Sequence, residues 1–229
     1  MSVNLSKGQR ISLDKADGGA LDAVRMGLGW RAAPRKGFLA KLAGTREIDL
    51  DASALLFAGG QLADVVFFRH LASDDGSVRH LGDNLVGGAG AGSDDEVILV
   101  DLARVPGHVD QIVFTVNSFT GQTFGEVQDA FCRLVDERTG TELARYTLSG
   151  GGAYTAQIMA KLHRTGTGWQ LQALGAPASG RTFQDLLPAI AAHLGPFLIK
   201  SLRTRGTGDG RNTLIIMDAD SRGVSGGQA

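Results

Sequence analysis

The sequence is short of cysteine, of aromatic residues, of charge excess of either sign and of long apolar runs, and each shortage removes a class of function. Cys132 is the one cysteine among 229 residues, so no internal disulfide can form. In a strand-like segment it reads as a small buried hydrophobe rather than a reactive thiol, and a reducing compartment fits. Phe, Trp and Tyr make up 6% of the chain, and Trp30, Trp169, Phe67, Phe68 and Phe114 fall in apolar runs. That assigns them to core packing rather than to a stacking platform for bases. With 23 basic against 24 acidic residues and a formal charge of −1, the chain carries no electrostatic signature of a nucleic-acid partner or an anionic membrane. No window approaches the roughly 18 apolar residues of a membrane-spanning helix. Met1 to Leu5 lacks the basic start and apolar stretch of a secretory leader, so the expectation is a soluble, cytoplasmic protein.

Catalytic signatures are equally sparse. His70, His80, His108, His163 and His193 lie far apart and form no zinc-like spacing with Cys132. Ser149 and Ser225 each lie beside glycines, but without the strand-to-helix pattern that surrounds a nucleophile elbow. Asp94, Asp95 and Glu96 could act as paired acids only within a cleft. The expectation is a protein that is not an enzyme.

Glycine is abundant instead: 33 residues, roughly twice the average usage of about 7%. Tight turns between short apolar runs predict an all-β fold. Val3 to Leu13 reads as two short strands, and Leu21 to Trp30 as a strand with Val24, Met26, Leu28 and Trp30 on one face. Gly27 and Gly29 on the other face leave room for a close approach by a second chain segment. Residues 31–46 read as a basic loop. Val65 to Phe68 reads as a strand, Ser73 to Gly76 as a hairpin turn and Ser77 to Leu81 as the returning strand. Ala156 to His163 and Trp169 to Leu174 form the clearest hairpin. Thr182 to Leu194 is the best helix, with Thr182 as N-cap and Pro188 arguing for a kink or a later start.

Two acidic stretches stand out. In Ile48 to Phe57, alternation puts Asp49, Asp51 and Ser53 on one strand face; two acids so placed repel, and a bound cation relieves this. Gly82-Asp83-Asn84 leads through a glycine-rich run to Asp94-Asp95-Glu96. Pliable backbone with hard oxygen donors suits a cation of the calcium type, whereas a phosphate loop would lead into a lysine and a helix. The spacing is not that of an EF-hand: counted from Asp49, position 6 is Ala54 and position 12 is Gly60.

Val24 to Trp30, Ile48 to Ala54, Gly82 to Leu85, Asp94 to Val97 and Ile112 to Phe114, in this order and spacing, resemble the TerD-type tellurium-resistance and stress-response family over residues 1–195. The resemblance implies a β-sandwich of two antiparallel sheets with a minor helix near its end, and calcium (Ca2+) bound through acidic loops. It also implies a role in bacterial stress responses, including tellurite resistance, alongside other tellurium-resistance proteins, some of them membrane-linked. The family's acidic motifs map onto Asp49, Asp51, Asp83, Asn84, Asp94, Asp95 and Glu96. Departures are Ala89, Ala91 and Ser93 where acids are usual, and Arg31 after Gly-Leu-Gly-Trp. Fewer carboxylates imply one calcium, with a second weaker or absent.

The expected organisation is therefore a sandwich domain over 1–195 and an extension over 196–229. A rival from another class is a metal-independent interaction module that grips a protein through the basic 31–46 loop and the C-terminal tail.

Overall fold

The structure, a computed structural model, describes residues 2–15, 18–32, 48–82, 94–148, 152–166, 168–195, 203–206 and 212–215. In chain order its first strands are β1 (Val3–Asn4), β2 (Arg10–Ser12), β3 (Ala23–Ala32), β4 (Leu50–Ala58), β5 (Gln61–Val66) and β6 (Val78–His80). There follow β7 (Glu96–Asp101), β8 (Gln111–Ser118), β9 (Val127–Asp136), β10 (Glu142–Thr147), β11 (Ala156–Arg164) and β12 (Trp169–Ala178), then the helix α1 (Phe183–Ala191).

These strands make two six-stranded sheets, ordered β1-β10-β9-β3-β7-β6 and β2-β12-β11-β8-β4-β5. One core lies between them. Val24, Met26, Leu28, Ile98 and Val100 come from the first sheet, and Leu50, Ala52, Ala54, Phe114 and Leu162 from the second. The second sheet is antiparallel throughout. The first is antiparallel too except at its edge, where the two-residue β1 runs parallel to β10, Val3 opposite Ala144. The two short strands read in Val3 to Leu13 are there but do not pair with each other, β1 joining β10 and β2 joining β12.

A similar crossing occurs after β5. The strand ends at Val66, and Phe67 and Phe68 leave the ladder. The turn at Ser73 to Gly76 carries a positive φ of 72° at Gly76, as its sequence suggests. Yet β6 pairs with β7 in the opposite sheet instead of returning along β5. The turn is nevertheless a hairpin, Ala72 bridging Arg79 and the His80 N–H donating to the Leu71 carbonyl at 2.8 Å, so the chain changes layer before it, between Val66 and Leu71.

Strands β4 and β8 are buried almost end to end. Leu50, Ala52, Ala54 and Leu56 face the shared core, while the outward face of β8 lies near α1. The helix buries Phe183, Leu186 and Ile190 and continues through the exposed Pro188. A proline at that position forfeits one backbone bond, and burial of this apolar stripe holds the helix together across the loss. The Asp185 carboxylate closes the N-terminus by accepting the N–H of Arg181 (2.8 Å) and of Thr182 (3.1 Å).

By contacts along the chain, Met1–His193 form one compact unit and Leu194–Ala229 another. The second contains an antiparallel pair of its own, β13 (Arg203–Gly206) with β14 (Asn212–Ile215). No helix among the described residues is long and apolar enough to cross a membrane.

Candidate metal centre

The head of β7 is the place to look for the cation site anticipated from Asp94-Asp95-Glu96. Asp95 and Glu96 are stitched to the segment carrying Asp49 and Asp51 through Trp30, at the end of the inward-facing row of β3. The Asp95 Oδ2 accepts the Trp30 backbone N–H at 2.9 Å, and the Trp30 indole Nε1 donates to the Ile48 carbonyl at 2.8 Å. Glu96, 1% exposed, reaches across the sandwich, where its Oε2 accepts the Ala52 N–H at 2.7 Å. That amide needs an acceptor because the β4–β5 ladder begins only at Ala54 opposite Val66.

His80 completes this buried pair. Its Nδ1 accepts the Gly82 N–H at 3.2 Å, which puts the ring proton on Nε2, 3.4 Å from Glu96 Oε2. Nothing in the sequence pattern marks this histidine as Glu96's neighbour, because the two residues come from different strands whose pairing is set by the fold.

Asp94 is held differently. Its Oδ1 accepts from Arg133 Nε at 2.7 Å, and Arg133 Nη1 also reaches Glu142 Oε2 at 3.3 Å. The hydrogen bond to Asp94 is the main reason the Arg133 guanidinium holds its proton more tightly than usual. Glu142 is gripped in turn by Arg145, through Nε at 3.0 Å and Nη2 at 2.7 Å. These bonds, with help from Ser2 and Arg133 and against the cost of desolvation, pull its carboxyl down to about 2. Gly27, opposite Arg133 in the register, makes the arrangement fit: the Asp94 carboxylate occupies the space where a Cβ would stand.

Asp51 sits on the other face of β4 from Leu50 and Ala52. It is 6% exposed and lines a cavity with Ser53 and Asn117. Asp49 is half-buried just before β4, and its carbonyl accepts the Phe119 N–H at 3.2 Å. Asp83 and Asn84 lie outside the described residues. The structure thus brings the 48–52 segment and the acidic triplet together by hydrogen bonds, but sends the carboxylates of Asp94, Asp95 and Glu96 to separate partners.

Sequence reading passed over a second group. Among the described residues, ligating atoms of Asp64, His70 and Asp74 lie within 4.8 Å of one another. Two of them already tie turns: Asp64 accepts the N–H groups of Val65 (2.7 Å) and Asp74 (2.8 Å), and His70 Nδ1 meets the Val65 carbonyl at 2.7 Å. With those bonds made, the trio reads as the fastening of the chain where it leaves β5.

Comparison with known proteins agrees with this architecture. A family model described as the TerD domain matches residues 1–189. The chain is 46% identical over 186 residues to the tellurium resistance protein TerZ of Serratia marcescens, covering 80% of this chain and 94% of that one. It is 39% identical over 198 residues to the stress response protein SCP2 of Bacillus subtilis, covering 82% and 98%. A crystal structure of a homologue of telluride resistance protein TerD from Streptomyces coelicolor superposes with a TM-score of 0.61 at 17% identity, over 75% of this chain and 98% of that chain. The chain belongs to the TerD domain family of tellurium-resistance and stress-response proteins.

Proposed function

We propose that this protein is a non-enzymatic, cytoplasmic calcium-binding member of the tellurite and stress response, acting as a sensor, buffer or scaffold beside other tellurium-resistance proteins. The observation that carries the reading is the joining of two acidic segments at one end of the sandwich. Asp95 and Glu96 are hydrogen-bonded through Trp30 and Ala52 to the stretch that holds Asp49. A donor set made of carboxylate and amide oxygens fits a hard cation that takes six to eight oxygen ligands.

Within that set we assign ligation to Asp49 and Asp95, with Asp83 and Asn84 contributed by the glycine-rich segment of the sequence. Asp94 and Glu96, each already bonded to a neighbouring element, position the others. A carboxylate accepts more than one contact, so the bond from Trp30 aims Asp95 without exhausting it. Fixing loop ligands from rigid strands favours a site that orders when the ion arrives. The same ion is the input that a sensor would pass to its partners.

The test is thermal or urea denaturation of the full chain with calcium, with magnesium and with a chelator. Calcium at about one hundred times its dissociation constant should stabilise by about 2.7 kcal/mol, and Asp83→Ala combined with Asp95→Ala should abolish the gain. A transition that ignores calcium in the unaltered protein overturns the reading.

A further inference from the structure

Beneath the N-terminal turn of α1, on the face of the antiparallel sheet turned away from the core, lies a cavity of about 170 Å³. A cavity of roughly 150 Å³ holds benzene, so this one takes a ligand of amino-acid size. Its floor is polar and buried: Asp51 at 6%, Ser53 at 4% and Asn117 at 1% exposure. Asp51 and Asn117 are direct partners across β4 and β8, which puts their side chains on one face about 5 Å apart.

The orientation of the Asn117 amide is fixed by its surroundings. Its Nδ2 donates to the carbonyls of Thr182 (3.2 Å) and Gly180 (3.4 Å). Two acceptors at that end require the amino group there. The Oδ1 therefore turns away from them; it is buried and accepts no hydrogen bond among the described residues. A buried acceptor without a donor is costly. The Asp51 carboxylate beside it favours a donor that also carries positive charge.

The walls agree with that assignment. Phe67 meets Phe183 edge-on at 5.1 Å and Phe68 at 5.5 Å, and Phe68 meets Phe119 at 6.0 Å. Aromatic rings around an acidic floor favour an organic cation. The lining also includes two exposed guanidinium groups, Arg69 and Arg181, which would repel a simple amine and attract a carboxylate.

We propose that this cavity binds a small free amino acid as its zwitterion, the ammonium on Asp51, Asn117 Oδ1 and Ser53, the carboxylate on Arg69 and Arg181, and the carbon chain among the phenylalanines. Phe119, 45% exposed, sits where it can cover the bound carbon chain. The site is separate from the calcium reading in its residues, since it uses Asp51, Ser53 and Asn117 rather than Asp49 and Asp95, and it needs no metal.

The experiment is calorimetric titration of the full chain, in excess chelator, with L-leucine and with 4-aminobutanoate, against butylamine and butanoate as controls lacking one charge. At least one of the two amino acids should bind, and each control should bind at least about tenfold more weakly. Asp51→Asn and the surface change Arg181→Ala should each weaken amino-acid binding by about tenfold or more, the second without touching the folded core. Absence of heat from both amino acids up to about 10 mM, controls that bind equally well, or Arg181→Ala leaving affinity unchanged overturns the proposal.

Discussion

Glu96 and Ala52 meet across the sandwich, carboxylate oxygen to amide nitrogen at 2.7 Å, and this contact closes the edge of β4 where β5 does not reach. Removing the acceptor leaves a buried N–H without a partner, at a cost of about 1–3 kcal/mol. Glu96→Ala should therefore destabilise by at least that much. Glu96→Gln, whose amide oxygen still accepts, should cost less. Urea denaturation in the presence of chelator measures both and separates the structural bond from any effect of calcium.

Gly27 is required by a side chain rather than by its own backbone. A Cβ there would collide with the Asp94 carboxylate that pairs with Arg133. Gly27→Ala should destabilise by about 1–3 kcal/mol, the usual range for overpacking. The same substitution made on top of Asp94→Ala should cost distinctly less, because the obstacle is gone. A double-mutant cycle by denaturation reads the difference, and two penalties that simply add would refute the contact.

Much of this was readable in the sequence where local pattern and final environment coincide. The alternation of Val24, Met26, Leu28 and Trp30 names the inward face of β3, and Gly27 on the other face announces a close approach, here by Asp94. The hairpin of β11 and β12 and the N-cap of α1 follow from turn chemistry in the same way. What escaped is what only the assembled fold decides. Val65 to Phe68 reads as one apolar strand, yet Phe67 and Phe68 line the cavity under α1, because a ring can be buried against a helix as well as in a ladder. The turn at Ser73 to Gly76 is the hairpin its sequence announces, but its local pattern does not specify which sheet receives β6. Asp49, Asp51 and the 94–96 triplet were picked out by residue type. Their different partners, Arg133, Trp30, Ala52 and the cavity floor, depend on which strands become neighbours.

Acid sensitivity should concentrate at Glu142. Its carboxyl falls from an ordinary 4.5 to about 2, chiefly because Arg145 hydrogen-bonds the charged form. A depressed carboxylate contributes stability that is fully present above its unfolded value and is lost as pH falls through the folded one. That window here runs from about 4.5 down to about 2. The urea midpoint of the unaltered protein should decline across this range, and Glu142→Gln should be less stable above it and decline less within it. Parallel pH profiles of the two proteins would refute the assignment. The group is partly open to solvent, so the difference should shrink in high salt.

Cys132 should be silent until the fold opens. It lies on β9, 3% exposed, and burial pushes its thiol up to about 12, outweighing the pull of its backbone hydrogen bond and of nearby Arg145. The thiolate is the reactive species, so at about pH 8 both access and ionisation oppose attack. A disulfide reagent such as dithionitrobenzoate should leave the native protein unlabelled over minutes and titrate one thiol at once in guanidinium. Labelling in native buffer should then proceed at the rate of local or global opening, and conditions that stabilise the fold should slow it in proportion. Rapid native labelling at a rate proportional to reagent and indifferent to stability would place the thiol at the surface and contradict the packing of β9 against the core.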